Sequence, residues 1–213
     1  MKIAIIGCGA AGIMATITAK RLNKDLQIDM FDANKGIGKK ILASGNGRCN
    51  ISNSKITSKN FIGENPDFVN FALKEFDFKA FEKFCKSIGL FLDVKESGKV
   101  YPLSNEAKSV TNLFSLALEE LNVNIFYEHF VQKVEKKDDK FTIYANDKEF
   151  KSYDKVLISS GLAAAPQLNS TEIGLQIASS FGHTYILHIQ VLLGFKQKRY
   201  TKENFKELKK SVV

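Results

Sequence analysis

No run of apolar residues in this chain approaches the ~18 that a membrane-spanning helix needs, so the sequence offers no candidate span. Cysteine is sparse: Cys8, Cys49 and Cys85 lie scattered, without CxxC or metal-ligand spacing. An odd, dispersed set excludes a disulfide framework and a thiolate metal site, and it predicts reduced thiols in a cytoplasm. There is no internal repeat, no low-complexity segment and no interleaving of aromatic with basic residues of the kind nucleic-acid binders show. The net charge of +8 gathers in the last twenty residues, from Gly194 onward, where seven Lys/Arg face two Glu. That tail reads as a solvated helix face, with neither nucleic acid nor membrane as its partner. The opening "MKIAIIGCGAAG" has a lysine ahead of an apolar stretch, but its glycines fit a strand entering a helix better than a targeting peptide.

What is present is the composition of a soluble globular protein, with 44% hydrophobic and 25% charged residues in a chain of 213. Lys2 to Ile6 reads as a buried parallel strand, Ala10 to Leu22 as the helix after it, and Leu26 to Ala33 as a second strand ending in an acid. Together they form a βαβ unit, half of a nucleotide-binding fold. The glycine-dense stretch from Asn34 to Asn53 reads as loop. Apolar residues at helical spacing between Asp67 and Ser87 predict two short helices broken around Asp77, and the Phe-rich region 61–91 reads as core or domain cover. A hairpin turning at Glu96 to Gly98 follows, then a helix over Glu106 to Leu121 and a strand at "VNIFYE". An antiparallel meander turns at Asp138-Asp139 and Asn146-Asp147, Lys155 to Gly161 is another buried strand, and Thr171 to Phe181 is helical.

Gly7, Gly9 and Gly12 have GxGxxG spacing directly between the first strand and helix. The first glycine allows the tight turn and the second lets backbone approach a pyrophosphate. The third brings helix and strand close, so that Ala10, Ala11 and the helix N-terminus face the phosphates. Asp32, twenty residues after Gly12, is placed to bond ribose hydroxyls and would repel a ribose 2′-phosphate. A plain strand–helix turn explains Gly12, but not three glycines and an acid together.

The second loop, "NKGIGKKILASGNGRCNISN", is denser in glycine and small polar residues than a solvated connection requires. Lys39 and Lys40 offer cations near the phosphates, Gly45 and Gly47 let backbone lie against a flat ring, and Arg48 is placed to bond an anion or a carbonyl. Ser44, Asn50 and Asn53 supply further polar contacts.

With these residues in place, the sequence resembles the BaiN/YhiN-type flavoproteins, bacterial NAD(P)/FAD-dependent oxidoreductases also described as aminoacetone oxidase-like. The resemblance is carried by "GCGAAG" at 7–12, Asp32, "GKKILASGNGRCNISN" at 38–53 and "GKVYPLSNEAKSV" at 98–110. It implies an α/β fold: a Rossmann-like, glutathione-reductase-type FAD domain with a parallel sheet plus an antiparallel β-meander. On this reading 1–190 is the FAD domain, with a helical and hairpin insertion at 61–104, and 191–213 begins a second domain whose remainder is missing. The resemblance further implies FAD as cofactor, NAD(P)H as a co-substrate, and an unidentified small molecule as substrate. Gly7 to Gly12 would hold the pyrophosphate, Asp32 the AMP ribose, and Lys39 to Asn50, Cys49 included, the phosphate and flavin side. Val131 would touch adenine through its backbone, while Ser160 and Gly161 end a central strand, where open parallel sheets place their ligand crevice. Tyr101 and Pro102 would reach the flavin edge.

Two departures stand out. Leu162 replaces a family glycine in "ISSGLAAAPQLNSTEIG", and "GHTYILHIQVLLGF" resembles the entry into the second domain of proteins nearly twice as long. Flavin chemistry needs no protein nucleophile, so the absence of a triad fits, and Arg48 is the candidate catalytic cation. Cys49 has no partner cysteine nearby in sequence and reads as a small buried hydrophobe; His183 reads as a helix-end residue. An NAD-binding module without flavin, or an inactive truncated fragment, are the competing readings.

Overall fold

The computed structural model describes residues 1–62, 65–163 and 166–185. Its centre is made by two short strands that alternate apolar residues between two faces. β1 (Lys2–Ile6) sends Ile5 to one side and Ala4 and Ile6 to the other, and all three are buried. α1 (Ala10–Leu22) returns along the first side with Ile13 and Ile17 inward. Lys20 is buried there because its Nζ donates to the carbonyls of Lys24 and Leu26 at 2.9 and 3.0 Å, satisfying acceptors in the turn to the next strand. β2 (Gln27–Phe31) splits likewise, with Ile28 and Met30 toward α1 and Phe31 away.

The next elements are α2 (Lys39–Ala43), β3 (Ser52–Asn53), α3 (Asn70–Glu75), α4 (Phe78–Ser87), β4 (Leu92–Val94), β5 (Lys99–Pro102) and α5 (Ala107–Glu120). After them come β6 (Asn124–Phe126), β7 (Val131–Lys137), β8 (Lys140–Ala145), β9 (Lys148–Tyr153), β10 (Lys155–Ile158) and α6 (Ile173–Ser180). The main sheet runs β10-β1-β2-β6, every pair parallel, with Ile5 between Leu157 and Met30. α1 and α5 cover one face through Ile13, Ile17, Val110 and Leu118. The antiparallel meander β7-β8-β9 covers the other, its Val134, Ile143 and Tyr153 packing on Ala4, Ile6 and Phe31. Phe31 stacks on Phe126 and meets Phe150 edge-on, at ring separations of 5.0 and 4.9 Å. This is the Rossmann-like α/β arrangement with an added meander that the sequence implies.

One buried acid ties the meander to the sheet. Asp29 accepts from the Tyr153 hydroxyl at 2.7 Å and from Asn124 Nδ2 at 2.8 Å, with Lys2 Nζ 3.3 Å away. A carboxylate in an apolar layer needs such partners. Burial, with the bond to Asp29 second, pushes the Tyr153 phenol far up, which keeps it a donor.

Three expectations need correcting. Asn34 to Asn53 is not all loop: it holds α2, a 3-10 stretch at Ser44–Gly47 and β3, which joins β5 and β4 in a third sheet. The period is too short to show as a helix or strand pattern. Strands β2 and β10 stop at Phe31 and Ile158, so Asp32, Ser160 and Gly161 lie beyond their strands. The Phe-rich region is only partly core: Phe84 is buried, whereas Phe68, Phe71, Phe76 and Phe91 are exposed. Of these only Phe71 lies within α3, and the others sit in the 3-10 stretch before it, at its C-terminal end and in the connection after α4. The basic tail and the second domain expected at 191–213 lie outside the described residues. Among the described residues no helix is long and apolar enough to cross a membrane.

Candidate functional site

The glycine loop divides its labour. Gly7, at φ +103°, turns the chain away from β1, and a Cβ there would lie 2.6 Å from the Ser159 carbonyl oxygen. A Cβ on Gly12 would lie 2.1 Å from the Gly7 carbonyl oxygen, so α1 seats against the strand end only with glycine. Gly9 differs: nothing lies within 4 Å of its Cβ position, which faces open space. Gly9 is also the N-cap of α1 and contributes no side-chain cap, leaving the first helical N–H groups to whatever enters.

Asp32 is fixed by this loop and by its own neighbours. Its Oδ2 accepts the Cys8 N–H at 2.8 Å, and Oδ1 accepts both the N–H and the side-chain amide of Asn34, each at 2.9 Å. Asn34 Oδ1 in turn accepts from Lys39 Nζ at 3.1 Å and from Asn169 Nδ2 at 3.2 Å.

The second loop is tied to the first through the Gly38 N–H, which donates to the Cys8 carbonyl at 2.8 Å. Beyond α2 the chain turns through left-handed backbone at Gly45, Asn46, Gly47 and Cys49. Gly45 is required there, since a Cβ would meet the Asn50 nitrogen at 2.8 Å. The Ile51 N–H donates to the Val100 carbonyl at 2.8 Å, docking the loop on β5. Lys40 reaches across to donate to the backbone carbonyl of Leu162 at 3.0 Å, an acceptor that does not depend on the leucine side chain there.

Between the two loops lies a cleft of about 480 Å³. Part of its lining is polar backbone, from Gly7 to Ala11 and at Ser159 to Gly161, and part is apolar, from Phe81, Val110 and Phe114. A smaller chamber of about 70 Å³ opens beside it, against Val131 and His129, and both spaces share Gly7, Asp32, Asn34, Ser160 and Asn169. Two hydroxyls of these walls, Ser160 Oγ and Ser170 Oγ, are buried without a partner among the described residues. Such an arrangement can take a polyanion against free N–H groups at one end and a flat apolar group against aromatic side chains at the other.

The cysteines near the cleft are neutral. Burial, reinforced by Asp32, pushes the Cys8 thiol far up. Burial also raises Cys49, opposed by its hydrogen bond with Ser44. Cys85 is pushed up to about 12 by burial first and Glu82 second. All three are unpaired, and a protonated thiol is a poor nucleophile. Among the described residues no group of three or more His, Cys, Asp or Glu is placed to hold a metal.

Of the expected site residues, the cleft wall brings together Gly7, Gly9, Ala10, Ala11 and Asp32 with Lys39, Lys40, Ser44, Cys49 and Asn50 from the second loop and Ser160 and Gly161 from the strand end. Gly12 packs behind the wall, Gly45 and Gly47 shape the loop without lining the cleft, and Val131 lines the smaller chamber. Arg48 is exposed and outside the wall, its guanidinium over the Tyr101 ring at 5.4 Å and its Nε donating to the Gly45 carbonyl at 3.3 Å. Sequence reasoning missed Asn34 and Asn169, which carry no motif, and Phe81, which it read as core or domain cover with the rest of the Phe-rich region. Gly174 was missed too: a Cβ there would lie 2.3 Å from Ser160 Oγ.

Comparison with known proteins places the chain in a family. The family profile described as "HI0933-like protein Rossmann domain" matches residues 1–189. The chain is 36% identical over 199 residues to a 3-dehydro-bile acid delta(4,6)-reductase of Clostridium scindens, covering 93% of this chain and 48% of that protein. It is 30% identical over 182 residues to a ribosomal RNA dihydrouridine synthase of Haemophilus influenzae, covering 84% and 44%. The chain thus spans about half the length of the curated relatives it matches. Among solved structures, a 3-ketosteroid-delta4-(5alpha)-dehydrogenase from Rhodococcus jostii superposes with a TM-score of 0.56 at 14% identity, covering 84% of this chain and 53% of that one, a likeness of fold.

Proposed function

The chain belongs to the HI0933-like Rossmann family, and from that premise we propose that it is the nucleotide-binding part of an FAD-dependent oxidoreductase. One observation carries the reading: the Gly9 Cβ position opens into a cleft that the second loop closes from the other side. The residues fit FAD on features of the structure itself. Uncapped helical N–H groups and the Lys39 and Lys40 ammoniums suit a pyrophosphate, and Asp32 suits a ribose. Ser160 and Ser170 supply hydroxyls unpartnered among the described residues, and Val131 borders a chamber suited to adenine. Phe81, Val110 and Phe114 offer an apolar wall for a flat ring.

When bound, FAD supplies hydride transfer; the protein supplies binding, orientation and exclusion of water. The names of both relatives describe adding two hydrogens across a carbon–carbon double bond. The proposed reaction is of that class, a hydride going to one carbon and a proton to the other, with NAD(P)H as the source of the electrons. Arg48, which no carboxylate pairs among the described residues, is the candidate cation for an anionic substrate or a developing negative charge. The family match ending at 189 supports a domain boundary near 190, with 191–213 opening a second domain. Buried, unpaired thiols fit a cytoplasmic location. Heat release of the bound ligand followed by mass measurement is the test. FAD is expected, and finding NAD alone would reject the reading.

A further inference from the structure

Asp32 has little capacity left for a ribose. A carboxylate offers about four acceptor positions. Asn34 takes both on Oδ1 and the Cys8 N–H takes one on Oδ2, which leaves a single position for two vicinal hydroxyls. A second acceptor is needed nearby, and Asn34 Oδ1 cannot serve while Lys39 and Asn169 donate to it.

Asn169 has what is missing. It borders both the large cleft and the smaller chamber, next to Asp32 in each. Donation of its Nδ2 to Asn34 Oδ1 at 3.2 Å fixes the amide plane, and its Oδ1 makes no hydrogen bond among the described residues. Its backbone is held left-handed at φ +59°, a conformation that Asn and Gly tolerate far better than other residues. The hydroxyl of the next residue, Ser170, is buried and has no partner among the described residues, so this wall holds more than one polar group open to a ligand.

We propose that Asn169 is a specificity-determining residue for the nucleotide. Its Oδ1 accepts one hydroxyl of the ribose diol, the remaining position on Asp32 accepts the other, and Asn34 holds the two acceptors in register. The site therefore reads an unmodified diol as a pair of donors. This rests on the nucleotide reading above.

The test uses ADP, 2′-deoxy-ADP and 3′-deoxy-ADP as probes, titrated calorimetrically into the nucleotide-free protein and into its Asn169→Gly variant. Glycine keeps the left-handed backbone. In the parent protein each deoxy analogue should bind about three- to tenfold more weakly than ADP, the effect of one hydrogen bond of ordinary strength. In the variant one of the two penalties should vanish, and ADP should weaken by the same factor. Because all three ligands are compared in one protein, a partly misfolded variant leaves the ratios intact. Both penalties persisting in the variant, or neither appearing in the parent, would overturn the assignment of Asn169. A parent protein with no affinity for ADP or FAD would instead overturn the nucleotide reading itself.

Discussion

The two loops that face each other across the cleft are built on opposite principles. In the first, from Gly7 to Gly12, most of the shape follows from neighbours in the chain: a strand end, a turn and a helix start, with Gly12 seated against the Gly7 carbonyl, while Gly7 also lies against Ser159 and Gly9 faces open space. In the second, from Gly38 to Asn50, shape is imposed from outside. Left-handed backbone at Gly45, Asn46, Gly47 and Cys49 persists because Gly38 is bonded to Cys8, Ile51 to Val100, and the Cys49 side chain is buried in the core. A loop of the first kind carries its function in spacing. A loop of the second kind has function only where tertiary partners hold it.

The largest effect should come from the first loop, where two glycines can be set against each other. Gly9→Val points a branched side chain into open space, so the fold should keep its unfolding midpoint while nucleotide affinity falls by about a hundredfold or more, roughly 2.8 kcal/mol of binding. Gly12→Ala forces a carbon to within 2.1 Å of the Gly7 oxygen, and overpacking of this kind costs about 1–3 kcal/mol of stability or more. Denaturant unfolding and nucleotide titration of both variants separate the two roles. A Gly9→Val protein that still holds its nucleotide would show that the loop is only a turn.

An intermediate effect concerns the thiols packed under the second loop. Cys85 has its ordinary value of 9.0 pushed up to about 12 in the folded protein. The unfolded chain therefore loses this proton first, and the stability that the raised value contributes is present below about pH 9 and lost as pH rises toward 12. Unfolding free energy measured at about pH 7 and about pH 10 should fall at the higher pH, and Cys85→Ala should flatten that slope. A slope untouched by the substitution would mean that the thiol is not sheltered.

The smallest structural effect belongs to Arg48→Ala. The side chain is exposed and meets Tyr101 and the Gly45 carbonyl, so stability should change by about 0.5 kcal/mol or less. In the full-length protein, turnover of the proposed oxidoreductase should fall by more than that stability change accounts for, the guanidinium facing substrate or a developing charge. Unchanged turnover would make Arg48 a surface residue.

Most of the element order from β1 to the meander was legible, as were the glycine loop and Asp32, because a strand–turn–helix unit writes itself in short-range spacing and in alternation of apolar residues. The same reasoning missed α2 and β3, where five and two residues are too few to display a period. It read Phe81 only as core or domain cover; the ring does pack against the core, and it lines the cleft as well.

What the sequence alone determined, then, is that a glycine-rich strand–helix turn with GxGxxG spacing exists and that a second glycine-rich loop follows it. Only the tertiary structure decided which residues of that second loop reach the cleft. Lys39, Lys40, Ser44, Cys49 and Asn50 line it, while Gly45, Gly47 and Arg48 do not. It also brought Asn169 from 135 positions away to Asn34. The physical reason is one of range. Backbone geometry and periodicity act over a few residues and leave a trace in spacing. The side an irregular loop presents is set by hydrogen bonds to β5 and to Cys8, partners that no local pattern encodes.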